Sequence, residues 1–408
     1  MKKIISLLLA AAMLLSLSVM SGAKKIAYTA GDPNNDGTVN ASDALLVLKS
    51  SVGGEKLDSA QISAADINRD GKADSSDALL LLKISIGLCL NYGNYPTLDY
   101  EWMVNAEKNY KDFAAEVNGN ENLIPFIASS DQHGLVTADC EVFKFINDLV
   151  DWDNVSKILN LGDTVNLLHN SVELKAYSKA MKYIPTEKRL ELFGNHDGHL
   201  TLFPLGTEKY FIAPGAEKSK NGDAFSVYDE LFNVRYLAVD PMGYPWTYTS
   251  GRITESQADF IVKELEKEDA GDVVLLAHPY LFKDAVISRD GTAFTGSEDF
   301  IGKESVKQSF LNMLLARKNK TAGVFTDSDG KQHPYDFSKC KSDFLMTLHG
   351  HHHAEGYETC NGITQFMFQS FKKDEPNCFY FACIDREEKT FKCWKNIPGY
   401  DAWEIEIA

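Results

Sequence analysis

Apolar positions along this chain follow two different rhythms. Residues 43–53 and 77–87 are near copies, alike at eight of eleven positions, and each is an apolar stretch that follows a polar, turn-rich loop. Internal duplication this close predicts two pseudo-symmetric loop-helix units packed on each other. Neither copy shows a helical stretch ahead of its loop. Beyond residue 100 the rhythm changes. A weak helical period over 100–117 gives way to short apolar runs alternating with amphipathic stretches, predicting strands at 123–128, 158–161 and 190–193 and helices at 141–150 and 172–183. Such an alternation marks an α/β sheet with ligand loops at the carboxyl ends of its strands. The second half predicts paired strands at 225–228 and 234–239, a helix at 255–268, a buried strand at 273–277, a helix at 305–318 and a meander at 364–369, 379–384 and 390–394. Two sheets with helices outside are the natural result. The turn-rich stretch 91–99 is expected to be a short linker between the regimes.

Composition adds scale and setting. A chain of 408 residues with 44% hydrophobic composition has room for one large and one small domain with a real core. Lys2 and Lys3, the apolar run 4–15 and the small residues Ser21, Gly22 and Ala23 have the form of an export signal, expected over 1–23 with cleavage near Ala23. A membrane span needs about 20 apolar residues, so no membrane insertion is expected. The net charge of -17 disfavours nonspecific binding to nucleic acid or anionic membrane and suits an exported protein that binds cations. Seven cysteines, an odd number in so long a chain, define no disulfide framework.

The loops ahead of the repeated stretches carry oxygen side chains at fixed intervals. Asp32, Asn34, Asp36, Thr38, Asn40 and Asp43 occupy positions 1, 3, 5, 7, 9 and 12 around Gly37. Asp66, Asn68, Asp70, Lys72, Asp74 and Asp77 repeat that set around Gly71, 34 residues on. Position 7 gives a backbone carbonyl, so Thr38 and Lys72 serve equally, and the set suits a calcium ion that collects about six or seven hard ligands. Together the two loop-helix units resemble a dockerin over residues 31–90. The resemblance implies a small all-α domain holding two calcium ions and docking into a cohesin of a scaffoldin. It also implies that Ala41, Ser42, Ser75 and Ser76 help to choose the cohesin. The location implied is extracellular, on a cellulosome-type complex, in a setting of polysaccharide breakdown.

The second region has its own candidate chemistry. Leu348 is followed by His349, Gly350, His351, His352 and His353, after the apolar residues Phe344, Leu345 and Met346. Only ten histidines occur in the chain, and His133, His196 and His278 each end an apolar run beside Asp131, Asn195 or Pro279. Strand ends that converge with His, Asp and Asn assemble a metal site from a sheet.

Five stretches in order, Asp131-Gln132-His133, Gly162-Asp163-Thr164-Val165-Asn166, Gly194-Asn195-His196-Asp197, Ala277-His278-Pro279 and Gly350-His351-His352-His353, resemble the calcineurin-like metallophosphoesterases. The resemblance implies a four-layer α/β (α+β) sandwich of two mixed β-sheets flanked by helices, over residues 100–408. It implies two divalent transition metals, manganese, iron or zinc, bridged by Asp163. Asp131, His133 and His353 would complete one metal, and Asn195, His278 and His351 the other. Two cations about 3.5–4 Å apart supply hydroxide at neutral pH and charge for the phosphoryl oxygens. His196 is the expected group at the leaving oxygen, with Asp197 orienting its imidazole. Asn166 stands where an aspartate is often found.

The remaining candidates read more plainly. His352 is expected to face solvent or pack, and His169, His199, His333 and His349 to be ordinary histidines. Residues 283–304 are expected to form a wall of the substrate pocket, with Arg289 a solvated charge, and Tyr244, Trp246 and Tyr248 to pack. The reading that results is a secreted, scaffold-attached hydrolase of a phosphomonoester or phosphodiester, acting through a metal-bridging hydroxide. Beside it stand an assembly component with a vestigial site and, within the enzymes, a nucleotidase or nuclease.

Overall fold

Each repeated segment begins its helix with the same device. In α1 (Ala41–Ser51) the Asn40 side chain accepts the Ser42 N–H while Asp43 reaches back to the Asn40 N–H, and in α3 (Ser75–Ser85) Asp74 and Asp77 do the same. Ala44 and Val47 of α1 and Ala78 and Leu81 of α3 are buried as the two helices pack together. The computed structural model describes residues 28–134, 139–166, 171–197, 213–240, 251–269, 271–281, 285–294, 303–371 and 377–408. The expected export signal, His169, His199, Tyr244, Trp246 and Tyr248 lie outside these residues.

The chain divides between Pro96 and Thr97 into two compact units. Two features of the first unit depart from expectation. A helix does precede the second loop: α2 (Ser59–Ala65) runs directly into Asp66. Its start is fixed by Asp58, which accepts the N–H groups of Ala60 and Gln61, and its end by burial of Ala64 and Ala65. In this seven-residue helix the cap and two buried alanines do the work that periodicity does in longer ones. The expected linker is also largely folded. Arg69 donates to the carbonyls of Tyr92 and Tyr95 at 2.6 and 2.7 Å, and the Asn91 amide donates to Ala30. Tyr92 and Tyr95 are buried as a result.

The second unit opens with α4 (Tyr100–Val117), β1 (Leu123–Ser129), α5 (Asp139–Leu149), β2 (Lys157–Asn160), α6 (Ser171–Ala180) and β3 (Arg189–Glu191). The chain continues through β4 (Glu217–Lys218), β5 (Ala224–Asp229), β6 (Val234–Val239), α7 (Glu255–Leu265), β7 (Asp272–Ala277), β8 (Val286–Ile287) and β9 (Ala293–Phe294). It closes with α8 (Glu304–Asn319), β10 (Ala322–Thr326), β11 (Gln332–Asp336), β12 (Phe344–His349), β13 (Gly356–Cys360), β14 (Ile363–Met367), β15 (Tyr380–Asp385), β16 (Thr390–Lys395) and β17 (Trp403–Glu406). One sheet runs β17-β16-β15-β1-β2-β3 and the other β4-β5-β6-β7-β12-β14-β13-β8-β9, with β10 and β11 a separate hairpin.

Both sheets are mixed; the parallel strands form one edge of the six-stranded sheet and the middle of the nine-stranded one. β1, β2 and β3 are parallel, as are β6, β7, β12 and β14. Phe126, Leu159, Tyr380 and Ala382 of the first sheet meet Tyr236, Val274, Leu276, Leu348 and Phe366 of the second in one core. A second core joins the other face of the larger sheet to α7 and α8 through Val273, Leu275, Ile261, Leu265, Phe310 and Leu314. The smaller sheet is covered by α4, whose Trp102 and Phe113 stack against Phe379, Phe381 and Trp394. Strands buried on both faces read as continuous apolar runs, which is why β1, β7 and β12 stand out in the sequence.

Candidate metal centres

Five strands of the two sheets end beside one another, and the chain beyond each supplies polar side chains. Ladder hydrogen bonds continue past the strand ends: Asp131 N–H to the Gly162 carbonyl, His133 N–H to Asp163, and Gly350 N–H to His278. Asp131, His133, Asp163, His351 and His353 all have left-handed backbones, with φ of 54°, 46°, 53°, 74° and 57°. Such conformations cost on the order of 1 kcal/mol each for residues with a side chain. Two glycines make the convergence sterically possible. A Cβ on Gly194 would overlap Asp163 Oδ1, and one on Gly350 would overlap Ser130 Oγ.

The side chains meet in two groups with a shared member. Atoms of Asp131, His133, Asp163 and His353 lie within 4.8 Å of one another, as do those of Asp163, His278 and His351. His133 Nε2 and His353 Nε2 face each other at 2.7 Å, with Asp131 Oδ1 3.2 Å from His353. On the other side Asn195 Oδ1 lies 3.1 Å from His278 Nε2 and 2.9 Å from His351 Nδ1. Asp163 Oδ2 stands between, 4.0 Å from His133 Nε2 and 3.1 Å from His278 Nε2.

These atoms fit cations better than each other. Asp131 Oδ1 is buried and makes no hydrogen bond despite the nearby imidazole. His278 Nδ1 donates to the Leu161 carbonyl at 2.7 Å, which leaves its Nε2 lone pair directed at the centre. Burial alone would lower the His278 pKa, but the charges of Asp163 and Asp131 raise it to about 10. The pocket thus calls for positive charge where a cation would lie. Ser130 Oγ and the His351 N–H both donate to Asp131 Oδ2, and Ser370 Oγ donates to the Asp131 carbonyl. Ser130 and Ser370 escape a reading of motifs, Ser370 because only the folded chain brings it to Asp131.

His196 and Asp197 correct the sequence reading. His196 Nδ1 is 2.7 Å from the Asn166 carbonyl, and this, not Asp197, orients the imidazole. The buried Asp197 carboxylate instead accepts the N–H groups of Val165 and Gly194 at 3.0 and 2.8 Å, tying the turns after β2 and β3 together. Burial first, then the charge of Asp163, push its pKa up to about 7. Arg289 is likewise no solvated charge: it forms a two-point ion pair with Glu355 and lies over the Trp403 ring, anchoring the β8–β9 turn. His352 packs against the rings of Tyr280 and His351. His349 and His333 are buried and hydrogen-bonded, and Cys340, Cys383 and Cys393 are buried, unbridged thiols.

In the first unit the two loops repeat one geometry. Asp32 Oδ2 accepts the Gly37 N–H at 2.9 Å, and Asp66 Oδ2 accepts the Gly71 N–H at 3.0 Å. Asp43 and Asp77, fully buried, accept the N–H groups of Asn34 and Asn68. Asp36, Thr38, Asn40 and Asp70, Lys72, Asp74 line the rest of each loop, and Asp66 Oδ1 is buried with no hydrogen bond, an oxygen that a cation would satisfy. Residues 30–84 match the dockerin type I domain. The dockerin exposes Leu45 and Leu48 on α1 with Val52 just after it and, at the equivalent places, Leu79 and Leu82 on α3 with Ile86 just after it. Ala41, Ser42, Ser75 and Ser76 are exposed at the starts of these helices.

Solved structures similar to the chain include a dimetal phosphatase from Danio rerio, 12% identical, covering 70% of this chain and 99% of that one with a TM-score of 0.44. PhoD is 10% identical, with 70% of each chain covered and a TM-score of 0.41. GAP50, the anchor in the inner membrane complex of Plasmodium, is 9% identical, with 70% of this chain and 89% of that one covered and a TM-score of 0.41. No curated protein matches the chain. Among the described residues, no helix is long and apolar enough to cross a membrane.

Proposed function

We propose that this chain is a dinuclear metal-dependent hydrolase of phosphate esters carried on a calcium-dependent docking module. The observation that carries the reading is the place of Asp163 Oδ2, shared between the His133 side and the His278 side of the cluster. Asp131, His133, Asp163 and His353 would hold one metal, and Asp163, Asn195, His278 and His351 the other. Manganese, iron and zinc all suit these nitrogen and oxygen donors. Bound there, the pair of cations would supply a hydroxide nucleophile at neutral pH and stabilise charge on the phosphoryl oxygens. His196 gives or holds the proton of the leaving oxygen. Asp197 acts indirectly, by fixing the turns that carry Asp163 and His196. The substrate is a phosphomonoester or phosphodiester, and the net charge of -17 favours a small ester over a long polyanion.

The docking partner is a cohesin, bound through the exposed faces of α1 and α3, with Ala41, Ser42, Ser75 and Ser76 helping to select it. Two calcium ions occupy the dockerin loops. On this reading the protein works outside the cell on a cellulosome-type complex, exported by the signal at 1–23, in a setting of polysaccharide breakdown. Turnover of a chromogenic phosphate ester by the full chain with added manganese tests the hydrolase. Activity is expected in the wild type and lost in Asp163→Asn, and a metal-loaded wild type without turnover would sink the reading.

A further inference from the structure

The turn after β2 contains a residue that touches three parts of the centre through three different groups. Asn166 donates its backbone N–H to Glu173 Oε2 at 2.8 Å. Its carbonyl is the partner of His196 Nδ1 at 2.7 Å, and its side-chain amide donates to the His133 carbonyl. Glu173 comes from the first turn of α6 and packs against Gly134 in the turn after β1, where a Cβ would lie 2.7 Å from its carboxyl carbon. The rings of His133 and His196 meet edge to face at 4.8 Å. One residue therefore links the turns of β1, β2 and β3, and α6 holds that residue from outside.

The chemistry of each contact is one-directional. A backbone carbonyl has no proton to give, so His196 Nδ1 is the donor, and the neutral imidazole is the tautomer protonated at Nδ1. Proton exchange with a reacting oxygen is thereby assigned to Nε2. The His133 carbonyl is likewise an acceptor only, so the Asn166 atom facing it is the amide nitrogen. An aspartate here would set carboxylate oxygens against that carbonyl and near Glu173. Asparagine is thus demanded by its neighbours rather than tolerated in place of an acid.

We propose that Asn166 and Glu173 are a positioning pair that fixes the tautomer and direction of His196, with Glu173 turning the Asn166 carbonyl toward the imidazole. The proposal rests on the hydrolase reading for its kinetic consequence but not for its structural one. It is tested in the full chain with the variants Glu173→Ala, Glu173→Gln and Asn166→Asp. Turnover is compared on 4-nitrophenyl phosphate and on phenyl phosphate, whose leaving group needs a proton more. Glu173→Ala is expected to lower kcat on phenyl phosphate by about 10- to 100-fold, and clearly less on 4-nitrophenyl phosphate, with metal content unchanged. Glu173→Gln keeps an oxygen that accepts the Asn166 N–H and should restore the ratio between the two substrates to within a few-fold. Asn166→Asp should behave like Glu173→Ala. Equal losses on both substrates would mean a structural role only and overturn the pair.

A second readout needs no turnover. In zinc-loaded protein carrying nitrogen-labelled histidine, the His196 signals are found by their absence in His196→Ala. They should report a proton on Nδ1 in the wild type and in Glu173→Gln, and a mixture of tautomers in Glu173→Ala. A wild-type His196 protonated at Nε2 in its neutral form overturns the proposal. An inactive wild type would defeat the hydrolase reading alone, with the tautomer still decided by this spectrum.

Discussion

The dockerin loops and the centre of the second unit gather cation ligands in opposite ways. Each loop takes its set from twelve consecutive residues, Asp32 to Asp43 and Asp66 to Asp77, whereas the centre takes its set from residues spread between Asp131 and His353. In the loops, carboxylates crowd together in a unit of fewer than 70 described residues, whose apolar core is small. In the centre, the candidate ligands stand beyond the ends of strands whose two sheets share a core. The difference predicts where the stability of each region resides: in a bound ion for the loops, in the sandwich for the centre.

Removing calcium should expose that difference most strongly. With a chelator, calorimetry of the full chain should lose the melting transition of the first unit, while that of the second moves by no more than a few degrees. A chelated protein that keeps both transitions would break the contrast. Next in size, Asp163→Asn should lower kcat on a phosphate ester on the order of 1000-fold, as loss of a single electrostatic contributor to a transition state does. Its melting temperature should stay near that of the wild type, because the surrounding core is untouched.

A pair of alanine substitutions sharpens the comparison further. Gly194→Ala would push against Asp163 and should cost about 1–3 kcal/mol of stability as well as activity. Gly37→Ala, at a φ of 90° with no atom within 4 Å of the added Cβ, should cost only about 1–2 kcal/mol of backbone strain, confined to the dockerin. Calorimetry of the full chain, in which each unit is expected to melt in its own transition, separates the two.

The smallest effect is the response of the calcium-free dockerin to pH. Burial holds Asp43 and Asp77 above the ordinary 3.8, helped by the negative charges of Asp32 and Asp36 for the one and Asp66 for the other. A raised acid pKa means that the folded form binds the proton more tightly. The stability these two groups contribute is complete at acid pH and declines as pH rises through their folded values. Asp36 and Asp74 shift the other way but lie at the surface, where solvent screens them. Thermal melts in chelator should therefore show a dockerin more stable near pH 4 than near pH 6. The reverse order would mean that the surface carboxylates dominate.

What could be read from the sequence follows the same division. The loops were legible because their ligands are neighbours in the chain. The strands ahead of Asp131 and His278 are legible because burial on both faces leaves a nearly unbroken apolar run, and those ahead of Asp163 and His351 are short runs broken by one polar residue. The short strands β4, β8 and β9 have two residues each and carry no period to detect, and the β10–β11 hairpin and β13 alternate too briefly. Helix α2 was missed because seven residues held by a cap and two alanines show no amphipathic stripe. The partner of His196 was misjudged for a different reason. Asp197 is its neighbour in sequence, but the turn sends that carboxylate to backbone N–H groups and brings in the Asn166 carbonyl from another strand.

The left-handed residues of the centre carry one more implication. At His133, His351 and His353 a glycine would relieve the main chain. These positions hold large side chains in a conformation that disfavours them, all directed at one small volume, and a cation bound in that volume would offset the strain.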